Sequence, residues 1–183
     1  MILLPRTVLF LSRFKRAKSG SAVVEFAMVA MPFFLLLYAI FDVALIFFAS
    51  TTLENGIVGA ARQIRTGQAQ ATNMTAAQFR TLVCNEISML LGCDARLGLD
   101  VRKYAGFGSV QFPPALDGNG NLSGNQTFDP GQPGDVVVVR AFYTWPMLTP
   151  TVGTQFTNMS GGHRLLEATI AFRNEPFGSV LGN

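Results

Sequence analysis

The sequence predicts an α+β chain. One long N-terminal helix crosses a membrane and runs on into a domain made of a second helix and a small antiparallel sheet. Three observations carry this prediction. Between Phe26 and Ala49, only Pro32 and Asp42 fall outside the apolar, aromatic or small set. A capping pattern, "TAAQ" at Thr75 to Gln78, opens a second segment of helical periodicity. Three later runs are alternating or β-branched, in the manner of strands.

The apolar run has 24 residues. At about 1.5 Å per residue it is roughly 36 Å long as a helix, which exceeds a hydrocarbon core of about 30 Å. A core helix of a globular protein rarely stays apolar on every side for this length, so a membrane span is the reading. The chain as a whole, 183 residues with 49% hydrophobic, is rich in apolar residues for the same reason.

The formal charge of +3 belongs to a short arm. Arg6, Arg13, Lys15, Arg16 and Lys18 are five of the fourteen basic residues, and residues 1–20 contain no acid. The remainder holds nine basic and eleven acidic residues, a net of about −2. A basic arm before an apolar span keeps the N-terminus cytoplasmic and sends residues after about 50 to the other side. It does not make a nucleic-acid surface. The arm is also unlike a secretory signal, since "MILLPRTVLFL" puts apolar residues ahead of "RFKRAK" and the apolar run is too long.

After Ser50 the helix continues, with Leu53, Ile57, Ala60 and Ile64 on one stripe, Arg62 and Arg65 off it, and Gly67 as its stop. Gly56 and Gly59 either weaken it, by about 1 kcal/mol each, or permit close approach of another helix. The second helix carries Phe79, Leu82, Val83, Ile87, Leu90 and Leu91 on its apolar stripe up to Gly92. "LGLDVRKY", "DVVVVRAFYTW" and "LLEATIAFR" are the strands, the last with Leu166, Ala168, Ile170 and Phe172 on one face. Between the first two strands, residues 106–134 are rich in Gly, Asn and Pro, and are either mobile or a binding loop.

Cys84 and Cys93 lie beyond the span, on the oxidising side, where a disulfide is expected; two inert thiols are the alternative. Nine residues of unbroken helix would hold their Cα atoms about 13 Å apart, against less than about 7 Å for a bridge. The helix must therefore end or unwind before Gly92 if the bridge is to close.

Chemistry leaves little trace. His163 is the single histidine and has no neighbouring ligands for a zinc site. "DGNGN" places Asp117, Asn119 and Asn121 as a calcium loop would, but Leu122 and Phe128 stand where its Gly and Glu belong, so a flexible turn is expected. Asp129 and Asp135 flank "PGQPG" as turn residues. No phosphate loop, dinucleotide fingerprint or nucleophile elbow is present, so the expectation is a chain with no catalytic site and no cofactor.

Glu25 is the anomaly, because an ionised carboxylate within the bilayer costs up to about 2.5–3.5 kcal/mol on insertion scales. Read as "G|SAVVEF", with a cut between Gly20 and Ser21, the stretch resembles the processing signature of type IV prepilins. There a basic leader is removed at the cytoplasmic face and the fifth-residue glutamate meets the amino terminus of a neighbouring subunit. The block from Ser19 to Gln68, with Pro32, Asp42, "LEN" and "AAR", is similar to the TadE-like pseudopilins of tight-adherence (Flp-type) pili. "CNEISMLLGC", "PGDVVVVRAFYTWPMLTP" and "AFRNEPF" resemble that family's later blocks.

The resemblance implies a cleaved leader (1–20), a transmembrane and assembly helix (21–49) and a pilin-like periplasmic domain (50–183). It implies a structural subunit in the bacterial inner membrane or in the pilus, with prepilin peptidase, other minor pilins, the major pilin, the assembly platform and the bilayer as partners. An uncleaved single-pass anchor presenting a periplasmic scaffold is the alternative.

Overall fold

The computed structural model describes residues 20–93, 95–147 and 156–178. Its order of elements is α1 (Ser21–Arg65), a single turn α2 (Gln68–Ala71), α3 (Ala76–Ile87), β1 (Leu97–Tyr104), β2 (Val136–Pro146) and β3 (His163–Arg173). The predicted class is borne out: a long apolar helix, a further helix, and an antiparallel sheet in the order β1-β2-β3. Two compact units divide the chain, Met1–Ile40 and Phe41–Asn183.

Within the second unit, α1 contributes the stripe Ala49, Leu53, Ile57, Ala60, Ala61 and Ile64, all buried. It meets Phe79, Val83 and Ile87 of α3 and the inner face of the sheet, where Val101, Val137, Val139, Ala141, Leu166 and Ala168 complete one core. The helix ends where the sequence places its stop. Gly67 takes the left-handed conformation at φ 83°, and the ring of Phe177 lies so close that a Cβ there would stand 2.2 Å from it. Glu175 locks the same corner, its N–H donating to the Arg65 carbonyl at 2.9 Å and its carboxylate 3.4 Å from the Arg65 guanidinium.

At α3 both halves of the capping box form. Thr75 Oγ1 accepts from the Gln78 N–H, and the Thr75 N–H donates to Gln78 Oε1. The helix closes at Ile87, earlier than the apolar stripe to Leu91 suggests, and Ser88 to Leu91 turn back on themselves. That turn removes the geometric obstacle described above: Cys84 and Cys93 are bridged, with Cα atoms 5.7 Å apart.

Strand β2 is buried along both faces from Val136 to Tyr143. One face belongs to the core under the helices. The other, with Arg140 and Phe142, lies against residues of the Gly/Asn/Pro-rich segment, which folds back over the sheet. Asp117 Oδ1 accepts from the N–H groups of Asn119 and Asn121, so this carboxylate closes a turn. Further on, the Val101 N–H donates to the Thr127 carbonyl at 2.8 Å and the Asp129 N–H to the Val101 carbonyl at 2.9 Å, which lines the outer edge of β1 with the chain's own backbone.

Candidate functional site

The surface that departs most from a soluble protein is the first half of α1. Most large apolar side chains from Val23 to Phe48 are exposed, Phe26 at 71% and Phe47 at 74% among them. Covering a side chain of this kind is worth about 1.5–3 kcal/mol. About four or five of them match the whole net stability of a domain, about 5–15 kcal/mol, so this face exists to be covered by lipid or by other helices. The helix is long and apolar enough to cross a membrane, with a mean hydropathy of 2.3 over its best 18-residue window.

Sequence explains how the polar groups are accommodated. Pro32 stands inside the helix and has no N–H to offer the Met28 carbonyl, which lies one turn earlier. Thr51 and Thr52 donate their hydroxyls to the carbonyls of Phe47 and Phe48 at 3.0 and 2.9 Å, so they close the apolar run without an unmet donor. Asp42 is 3% exposed. At about 100° per residue it falls on the stripe of Ala49, Leu53 and Ala60, the side of α1 that carries the core. Glu25 lies near the start of the helix and is exposed.

The expected cleavage point lies at the start of the first helix. Ser21 is the first residue of α1 and Gly20 immediately precedes it. A Cβ on Gly20 would meet nothing within 4 Å, so no packing within the described residues demands glycine there. The basic residues of the expected leader lie outside the described residues.

Several ordered side chains were not foreseen from the sequence. Asp100, 3% exposed on β1, accepts from Arg102 Nε at 2.9–3.0 Å and from the Thr127 N–H at 2.8 Å. Arg140, 6% exposed, donates to Glu167 Oε1 through Nε and Nη2 and to the Pro113 carbonyl through Nη1, and it stacks 4.7 Å from the Phe142 ring centroid. The available signal was a charge inside a β-branched run, "VVVVRAF", which demands a buried partner without naming it. Arg140 ties the glycine-rich segment to the sheet and has the environment of a structural clamp.

The model of the TadE-like protein family matches residues 20–62, which is 43 of 183 residues and nearly the whole of α1. The resemblance read from the sequence is borne out over this segment, and it points to a Tad pilus-associated protein. No curated protein and no solved structure matches the chain.

Proposed function

From an N-terminal helix that is TadE-like, we propose that the chain is a minor pilin-like structural subunit, made as a membrane-anchored precursor and trimmed between Gly20 and Ser21. One observation carries the reading. α1 begins at Ser21, holds Glu25 at its fifth residue, and then presents apolar side chains all round from Phe26 to Phe41. Such a helix serves two solvents in turn: lipid before assembly and the helices of neighbouring subunits after it. Its bare apolar surface supports both, and Glu25 is the polar group that gives the second state an advantage over the first.

In this reading the basic leader faces the cytoplasm, the domain after residue 50 faces the periplasm, and prepilin peptidase removes the leader before the subunit enters or primes the pilus. The partners are the other minor pilins, the major pilin and the inner-membrane assembly platform. The chain's role is structural, with no catalytic step.

Intact mass of the membrane form, from cells with and without prepilin peptidase, tests the proposal. The expected result is a chain beginning at Ser21 in peptidase-competent cells and the full precursor in its absence. Gly20→Arg should block trimming in peptidase-competent cells, and the open space around Gly20 among the described residues means that this block would report the peptidase and not a folding defect. Met1 or the basic arm retained in competent cells would replace this reading with the uncleaved scaffold.

A further inference from the structure

We infer that the outer edge of β3 is an acceptor for a fourth strand donated by a partner protein, not by a second copy of this chain. The donated segment is extended, apolar on the face turned to α1, and carries a carboxylate that meets Arg62.

The argument begins with which way the backbone groups point. In β3, the Leu165 N–H donates to Asn158 Oδ1 and the His163 carbonyl accepts from Asn158 and Met159, all on the side away from β2. The even positions do the opposite, since the Asn174 N–H donates to the Asp135 carbonyl on the β2 side. Strand parity then turns the N–H and C=O of Glu167, Thr169 and Ala171 outward. No main-chain or side-chain group among the described residues bonds to these six.

An open edge is costly to leave, and chains usually blunt it. This one does so elsewhere. Thr127 to Asp129 line β1, and Asn158 covers the first residues of β3. The stretch from Glu167 to Ala171 has no proline, no lysine and no bulge. The one acid there, Glu167, has its carboxylate turned to Arg140.

Beside this edge lies a groove of about 150 Å³, lined by Val58, Ala61, Arg62 and Arg65 of α1 and by Ile170 and Phe172 of β3. Its floor is apolar, with Val58 half exposed and Ile170 and Phe172 only partly covered. Its rim is basic. Arg65 is engaged with Glu175, whereas Arg62 has no ion pair among the described residues. A strand laid here pairs its backbone with Glu167, Thr169 and Ala171, drops alternate apolar side chains into the groove, and places an acid at Arg62. The charge of the rim selects against a basic strand. The inference stands apart from the assembly reading, because it requires neither cleavage nor a pilus.

The test uses the full chain in detergent micelles and a synthetic blocked peptide of alternating valine and threonine with one central glutamate. Amide hydrogen exchange is followed residue by residue. In the free chain, Glu167, Thr169 and Ala171 should exchange rapidly while Ala168 and Ile170 are protected. Adding peptide should slow those three by about tenfold or more. A peptide N-methylated at alternate residues should fail, and so should Ala171→Pro, which removes an outward N–H without touching the ladder to β2. Arg62→Glu should weaken the glutamate peptide by up to about fivefold and favour a lysine version instead. Slow exchange at the three amides in the free chain would overturn the inference, since the edge would already be covered. So would self-association abolished by Ala171→Pro, which would make a second copy the occupant, or a peptide effect that N-methylation leaves intact.

Discussion

At the scale of single residues, two glycines on α1 have opposite meanings. A Cβ on Gly56 would stand 2.3 Å from Cγ2 of the buried Ile87, whereas one on Gly59 would meet only the Glu86 side chain at 3.5 Å. Gly56 is therefore the close-approach point of α1 and α3, and Gly59 is merely a poor helix former. Gly59→Ala should gain about 0.5–1 kcal/mol from helix propensity alone. Gly56→Ala gains the same and loses about 1–3 kcal/mol to overpacking, for a net loss near 1 kcal/mol. Thermal unfolding of the two variants side by side checks the sign, and equal effects would mean that α3 yields at Ile87. The sequence left these glycines undecided because spacing alone does not say which of two residues three apart faces the neighbouring helix.

Among the elements, those with a periodic signal were legible. β1 is bounded as the sequence suggests, β3 carries Leu166, Ala168, Ile170 and Phe172 toward the helices, and Gly67 ends α1. The end of α3 was not legible, because Leu90 and Leu91 continue the apolar stripe beyond the last helical turn, and no glycine or proline marks Ser88. There a covalent constraint accompanies the departure from periodicity: the bridge from Cys84 to Cys93 spans the turn that brings their Cα atoms to 5.7 Å. Cys84→Ser should cost about 2–4 kcal/mol, read by urea unfolding of the oxidised wild type against the variant. An unchanged midpoint would mean that the turn is held by Leu91, which is fully buried, without help from sulfur. The glycine-rich segment was illegible for another reason. Its part in the fold is to cover β2 through backbone groups and one arginine, and backbone contacts leave no pattern in side-chain type.

For the whole molecule, the question is what a carboxylate does at the start of a helix apolar enough to cross a membrane. The long apolar helix was legible from composition, and Glu25 stood out against it; in the proposed function its purpose lies in a state with more than one chain. If Glu25 meets a neighbour's amino terminus, removing it affects two steps in opposite directions. Insertion of Glu25→Ala becomes easier, because a charge whose cost in the bilayer reaches about 2.5–3.5 kcal/mol is gone from the helix. Assembly suffers, because the partner ammonium is left without a counter-charge in a low-dielectric setting. The expected outcome is normal membrane abundance and normal trimming at Gly20, with a severe loss of co-purification with the other pilus subunits. Glu25→Gln separates charge from hydrogen bonding: it keeps the shape and an acceptor, and should fail nearly as badly if the ion pair is what matters. Equal recovery of subunits with wild type, Glu25→Gln and Glu25→Ala, at matched membrane levels and with normal pili, would reduce Glu25 to a residue that reaches the interface on a flexible stem.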